Sequence, residues 1–135
     1  MATIVLPELK DGLWYFAHPY SVIRDDGQYV FRGNAANFQI CCYRSGQLSL
    51  AGYVIYSPIA HTHSIQYATP EFMKQSGPEE HQYWIDLDLE FIARAGFTGI
   101  IMAPKWETSR GCRGERDWFV ERDLQVLNYS DIIKE

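Results

Sequence analysis

The chain has 135 residues and a formal net charge of −5, because 17 acidic residues outnumber 12 basic ones. This length predicts one domain over residues 1–135, and the acidic balance argues against a nucleic acid polymer as partner, which usually requires a surplus of Lys and Arg. No apolar run approaches the ~20 residues of a membrane span, no signal pattern opens the chain and 3 cysteines cannot form a disulfide framework, so we expect a cytoplasmic protein without a membrane partner.

Short apolar runs alternate with helical patterns along the chain. In chain order, the predicted elements are a strand at 13–17, a helix over 28–50 that starts after Asp25-Asp26-Gly27, a strand at 53–56, an irregular stretch over 58–78, a helix at 79–95, a strand at 99–102, a helix at 109–123 and a strand at 124–127. This alternation predicts a parallel sheet with helices on both faces. Ligands of such sheets bind beyond the carboxyl ends of the strands, so the residues that follow each strand are the first candidates for a site.

Asp88 is the first candidate. It shares a predicted helix face with four apolar residues, since residues three and four apart are neighbours on a helix: Trp84, Phe91, Ile92 and Ala95. An isolated buried carboxylate is costly, so Asp88 has either a partner or a function. The alternative is that the edge of this face is solvated and Asp88 is an ordinary surface residue.

The segment from Ser109 to Glu115 is the second candidate. Ser109 is a plausible N-cap, and Gly111 and Gly114 allow a ligand to approach the backbone closely. The free N–H groups of a helix N-terminus also favour an anion. The alternative is a weak helix start in which Glu115 pairs with a neighbouring arginine.

Two further segments follow predicted strands. The run from Tyr15 to Ser21 contains His18 and supplies a phenol and a hydroxyl where the first strand ends, although an aromatic strand is also typical of a core. In an extended His61-Thr62-His63 segment both imidazoles point to one side, which raises the hypothesis of a metal pair. No third ligand stands at a telling distance, so we predict no metal and favour contact with a substrate or plain surface.

No cofactor is predicted, because neither the GxGxxG nor the GxxxxGK[ST] fingerprint occurs. A cysteine nucleophile is not expected either. Cys112 lies near a predicted helix start that favours a lowered pKa, but no histidine partner stands beside it in the sequence.

Four segments, taken together and in this order, resemble the nucleoside 2-deoxyribosyltransferase-like superfamily: residues 15–21, 57–63, 84–91 and 106–115. This superfamily includes the 2'-deoxynucleoside 5'-monophosphate N-hydrolases, and the chain is most similar to a branch of small uncharacterised bacterial and phage proteins. The resemblance implies a flavodoxin-like (Rossmann-like) three-layer α/β sandwich with a four- or five-stranded, mainly parallel sheet. It also implies chemistry at an N-glycosidic bond.

The resemblance also assigns roles to individual residues. It implies that Glu115 is the nucleophile, that Asp88 contacts the sugar and assists the departing base, and that Tyr15 holds the nucleophilic carboxylate. Ser109 matches the serine that contacts a 5'-phosphate, and Ser21 lies near the second phosphate loop. One departure is the segment 95–97, Ala-Gly-Phe, where the family often has an aspartate before the third strand.

The predicted reaction is hydrolysis of a (deoxy)nucleoside 5'-monophosphate through a covalent glycosyl-enzyme intermediate. A carboxylate traps C1', and a second acid group protonates the base. The alternatives are a nucleoside 2-deoxyribosyltransferase with the same intermediate, a non-catalytic nucleotide-binding module, and a metal-dependent hydrolase that uses His61 and His63. We further expect His18 and Gly111 to line the substrate site, and His61, His63 and Tyr67 to line its base side.

The predicted partner is therefore a small nucleoside or nucleotide. The chain itself is expected to form a homo-oligomer, at least a dimer, because its 15% of aromatic residues supplies an apolar interface without requiring an unusually large core.

Overall fold

The computed structural model describes residues 3–20, 31–74 and 78–135. Its strands form one sheet in the order β2-β1-β3-β4, and every neighbouring pair is parallel. The strands are β1 (Trp14–Ala17), β2 (Ile55–Tyr56), β3 (Gly99–Met102) and β4 (Gln125–Asn128). The chain runs from β1 to β2 on one side of β1 and then crosses back to β3 on the other side of β1. The carboxyl ends of β1 and β3 therefore flank the point where the strand order reverses, which is the usual place for a ligand in such sheets.

The connections between the strands are mostly helical. The helices are α1 (Phe31–Leu50), α2 (Pro58–Ala68), α3 (Pro70–Lys74), α4 (Pro78–Arg94), α5 (Arg110–Glu121) and α6 (Tyr129–Ile132), with a short 3₁₀ turn at Trp106–Thr108. Among the described helices, none is long and apolar enough to cross a membrane.

Two apolar cores lie on opposite faces of the sheet, because successive strand residues point in opposite directions. Trp14 and Phe16 pack with buried residues of α1, α2 and α6, whereas Tyr15 and Ala17 pack with those of α4 and α5. Helices therefore cover both faces of the sheet. This arrangement confirms the prediction of a flavodoxin-like three-layer α/β sandwich.

The close packing of β3 against its neighbouring strands depends on Gly99. A Cβ at Gly99 would lie 2.3 Å from the carbonyl oxygen of Gln125 and 2.7 Å from the ring of Trp14. Both distances are far below van der Waals contact, so only glycine allows β3 to approach β4 and β1 this closely.

The prediction of an irregular stretch over 58–78 is wrong for the part that the structure describes. Ser57 caps α2 by accepting a hydrogen bond from the backbone N–H of Ala60 at 3.3 Å, and Pro58 occupies the first helical turn, where proline is well tolerated. Pro70 likewise begins α3. The prolines in this stretch therefore begin helices, although in the sequence they resemble breaks.

The other predicted elements agree with the structure to within a few residues. The second strand is shorter than expected, Ile55–Tyr56 instead of 53–56. The helix predicted over 28–50 is observed as α1 from Phe31 onward, and its expected start lies outside the described residues, as does Ser21.

Candidate active site

Tyr15 and Glu115 form the centre of the candidate site. Tyr15 is fully buried in β1 and faces α5, where Glu115 lies in the second turn. Its hydroxyl donates a hydrogen bond to Oε2 of Glu115, 100 residues later in the sequence. Burial raises the pKa of Tyr15 well above its ordinary value, and the nearby charges of Glu115 and Asp88 act in the same direction. Tyr15 therefore remains a hydrogen-bond donor over the whole physiological pH range.

Asp88 supplies a second carboxyl group from α4. Its Oδ1 atom is buried and has no hydrogen-bond partner within the described residues. Burial raises the pKa of Asp88 from 3.8 to about 7. A carboxyl group of this kind retains its proton near neutral pH and can donate it to a ligand.

The two carboxyl groups influence each other. Burial raises the pKa of Glu115 to about 8; the hydrogen bond from Tyr15 lowers it, and the charge of Asp88 raises it. Groups coupled in this way titrate as a pair rather than singly. The hydrogen bond from the Tyr15 hydroxyl favours the negative charge on Glu115 and opposes the effect of burial.

The N-terminus of α5 adjoins this pair. The Oγ atom of Ser109 accepts a hydrogen bond from the backbone N–H of Cys112 at 3.2 Å, which confirms the predicted N-cap. A Cβ at Gly111 would lie 3.9 Å from Ser109 Oγ and 4.0 Å from Glu115 Oε1. The glycine thus leaves open a space that is bordered by Ser109 at the helix start on one side and by Oε1 of Glu115 on the other.

A half-buried aromatic group borders the carboxyl pair on the β2 side. Tyr56 lies beside Tyr15 in the parallel register, with ring centroids 6.1 Å apart. Its ring stacks on Phe91 of α4 at 4.6 Å, and its hydroxyl lies 3.0 Å from Nδ1 of His61. Sequence reasoning missed Tyr56 as a site residue. The available signal was its position at the end of a strand next to the one that carries Tyr15.

The prediction that His61 and His63 point to the same side is wrong. Both lie in α2, where two residues turn the side chain by roughly 200° about the helix axis. His61 packs against Phe91, whereas His63 is buried on the opposite side, stacked on Phe38 at 3.9 Å and 2.6 Å from the hydroxyl of Tyr20. The two imidazoles therefore do not form the hypothetical metal pair, and His63 lies against α1 rather than with the carboxyl groups.

Tyr67, the third residue expected on the base side, accompanies His63. The two rings stack at 4.2 Å. Among the described residues, no group of three His, Cys, Asp or Glu side chains is arranged to hold a metal ion.

His18 also lies toward α1. It is buried, its Nδ1 donates to the carbonyl oxygen of Pro19 at 2.7 Å, and its Nε2 accepts from Arg44 at 2.9 Å. Burial lowers the pKa of His18 to about 4, so the ring is neutral. Both ring nitrogens are thus occupied, and the contact with Arg44 links the end of β1 to α1. The role expected for His18 in substrate binding remains a prediction.

Cys112 differs from its expected chemistry. Burial raises the pKa of its thiol to about 12, and the charge of Glu115 adds to this effect. The helix N-terminus does not compensate for the loss of water around the thiol. The prediction of a lowered pKa for Cys112 is therefore wrong, and Cys112 is a core residue between α5 and the sheet.

Comparison with known families bears on the whole domain. Residues 12–131 match the family model described as "Domain of unknown function (DUF1937)", which covers most of the chain. The chain belongs to the DUF1937 family. The matched range of this DUF1937 protein includes Tyr15, Asp88, Ser109 and Glu115. No curated protein matches the chain.

Proposed function

We propose that this DUF1937 protein hydrolyses the N-glycosidic bond of a (deoxy)nucleoside 5'-monophosphate through a covalent intermediate on Glu115. The observation that carries the proposal is the hydrogen bond from buried Tyr15 to Glu115, beside a second buried carboxyl group at Asp88. The resemblance to the nucleoside 2-deoxyribosyltransferase-like superfamily supports the same three roles.

The first step forms the intermediate. An oxygen of Glu115 attacks C1' of the sugar, and the C1'–N bond breaks with its electron pair going to the base. Asp88 gives its proton to the leaving base, so the base departs neutral. Tyr15 occupies Oε2, and Oε1 borders the open space at Gly111, which favours Oε1 as the attacking atom.

The second step releases the sugar. Asp88, now a carboxylate, takes a proton from water as the water oxygen attacks C1', and the bond from C1' to Glu115 breaks. The carboxylate of Glu115 is restored and accepts the hydrogen bond from Tyr15 again. The net reaction consumes one nucleotide and one water molecule and yields a free base and a sugar phosphate.

A 5'-phosphate suits the start of α5. The unpaired backbone N–H groups of a helix N-terminus attract anions, and the 12-residue helix α5 begins directly after Ser109. Arg110 and Arg113 lie exposed in its first turns and add positive charge. These features favour a nucleotide over an uncharged nucleoside.

The experiment is incubation of the purified protein with a panel of nucleosides and nucleoside 5'-monophosphates, with free base measured by chromatography. We expect base release from a monophosphate, at least 100-fold slower for Glu115→Gln, since each ~1.4 kcal/mol of barrier corresponds to tenfold in rate. Glu121→Gln is the matched control, because Glu121 lies exposed at the end of the same helix.

Other outcomes distinguish the alternatives. Transfer of the sugar to a second base added in excess would identify a 2-deoxyribosyltransferase. Binding of a nucleotide without any base release would identify a non-catalytic binding module. A parent-like rate for folded Glu115→Gln would refute the covalent mechanism.

A further inference from the structure

Tyr56 and His61 lie next to the carboxyl pair but have no part in the mechanism described above. Tyr56 ends the edge strand β2 and His61 lies in the first turn of α2, so a short connection holds the two side chains together. Their contact is a hydrogen bond of 3.0 Å between the hydroxyl of Tyr56 and Nδ1 of His61. Both side chains are half-buried.

The ring of Tyr56 is held in place from three sides. It stacks on Phe91 at 4.6 Å with an interplanar angle of 18°, and Phe91 lies one helical turn after Asp88. It lies beside Tyr15, whose hydroxyl bonds Glu115. His61 contacts the Tyr56 ring with centroids 5.8 Å apart and packs edge-on against Phe91 with centroids 5.5 Å apart. The hydroxyl of Tyr56 therefore has a defined position on the same face of the sheet as the carboxyl pair.

The titratable groups around Tyr56 agree with this position. Burial raises the pKa of Tyr56, and the negative charges of Asp88 and Glu115 raise it further. Among the described residues, Tyr15 and His61 are the other titratable groups that face Tyr56. The Tyr56 hydroxyl thus retains its proton, and that proton is within electrostatic reach of both carboxyl groups.

A hydroxyl has one hydrogen to donate and accepts through its oxygen. If His61 donates from Nδ1 to the Tyr56 oxygen, the hydroxyl hydrogen is free to turn toward a carboxylate. Asp88 becomes a carboxylate when it protonates the leaving base, and its buried Oδ1 has no donor within the described residues. A buried anion without a donor is costly.

We propose that Tyr56 is a positioning residue for base departure, held by Nδ1–H of His61, and that its hydroxyl hydrogen stabilises the carboxylate that forms on Asp88. This inference rests on the proposed function and deepens it. It differs from a direct contact between His61 and the base, because His61 acts through Nδ1 on Tyr56.

Substitutions can test the roles of the two ring nitrogens of His61 separately. Asparagine places a polar group near the position of Nδ1, and glutamine places one near Nε2. We expect His61→Asn to retain turnover within about threefold of the parent, whereas His61→Gln and Tyr56→Phe lose at least tenfold in kcat and change KM much less. Tyr43→Phe, in an exposed position on α1, is the control.

The identity of the leaving group provides a second readout. The probe is 2-deoxyribose 5-phosphate with a 4-nitrophenyl group on the C1' oxygen. Its leaving group, 4-nitrophenolate, departs as a stable anion, so cleavage of this substrate does not require an acid. The defects of His61→Gln and Tyr56→Phe should shrink strongly with this substrate. Equal defects with both substrates, parent-like kcat for Tyr56→Phe, or an active His61→Gln beside a defective His61→Asn would overturn the inference.

A measurement without turnover separates this inference from the proposed function. Nitrogen-15 NMR of the histidine rings reports which nitrogen carries the proton. We expect the Nδ1–H tautomer of His61 in the parent and a shift toward the Nε2–H tautomer in Tyr56→Phe. An Nε2–H tautomer in the parent would overturn the inference even if base release is observed. Absence of base release with the Nδ1–H tautomer present would refute the catalytic role of Tyr56 together with the proposed function, and would leave only the His61–Tyr56 bond.

Discussion

Replacement of Asp88 by asparagine should stabilise the protein, and the gain should grow with pH. Burial raises the pKa of Asp88 from 3.8 to about 7 in the folded protein. As pH rises, the unfolded chain therefore loses this proton first. The raised pKa favours the folded state fully below pH 3.8, and this contribution is lost progressively as pH rises to about 7. An asparagine at this position has no proton to lose.

The size of the effect follows from the pKa shift. Between pH 5 and pH 7 the parent should lose roughly 2 kcal/mol of stability that Asp88→Asn retains, since one pKa unit corresponds to about 1.4 kcal/mol. For a domain of this length that difference corresponds to roughly 5–10 °C in Tm. Any cost of burying the amide itself is the same at every pH, so the change with pH reports the loss of this carboxyl group, and the lower pKa of Glu115 in the variant acts in the same direction.

The assay is urea unfolding of the parent and the variant at pH 5, 6 and 7, followed by tryptophan fluorescence. Asp86→Asn is the matched control, because Asp86 lies exposed two residues earlier on α4 and accepts a hydrogen bond from Gln82. The stability of Asp86→Asn relative to the parent should not increase with pH. A constant difference between Asp88→Asn and the parent across this pH range would refute the argument that Asp88 is buried and protonated.

Four further predictions concern the site and the assembly. Glu115→Gln should lose at least 100-fold in base release while its Tm at pH 8 equals or exceeds that of the parent, as tested by chromatography and calorimetry. Tyr15→Phe removes a hydrogen bond that lowers the pKa of Glu115, so the acid limb of the pH–rate profile should move to higher pH. Asp88→Asn removes a charge that raises the pKa of Glu115. With a substrate whose leaving group needs no acid, the acid limb of this variant should therefore move to lower pH. Gly111→Ala should fold normally but raise KM for a monophosphate more than for a nucleoside. Gly114→Ala should leave both KM values unchanged, because its new Cβ would meet no described atom within 4 Å apart from its chain neighbours and its own helix backbone. Light scattering at tens of micromolar should report at least a dimer, and a monomer mass would contradict the predicted homo-oligomer.

Local patterns in the sequence determined much of the fold. The apolar runs of β1 and β3 were recognisable because both faces of these strands are buried, which leaves no alternation with polar residues. The N-cap at Ser109 was recognisable because capping depends on residues only three positions apart. Asp88 stood out because a carboxyl group within an apolar helix face conflicts with its neighbours.

The tertiary structure decided how these pieces meet. Tyr15 and Glu115 are 100 residues apart, and they meet because β1 pairs with β3 and α5 then packs across both strands. No local sequence pattern can reveal a contact between two residues that are 100 positions apart. The same holds for the raised pKa values of the two carboxyl groups, which depend on burial by residues from several helices.

The segment His61-Thr62-His63 shows the limit of local reasoning most directly. Its residue types fit an extended loop or a helix, and the prolines around it favoured the loop. In the structure Ser57 and Pro58 begin a helix, and this turns one imidazole toward the carboxyl pair and the other toward α1. The sequence alone determined that two histidines are present in this segment. The packing of α2 between its neighbours decided which of them lies beside the candidate active site, because helical and extended backbones send alternate residues to different sides.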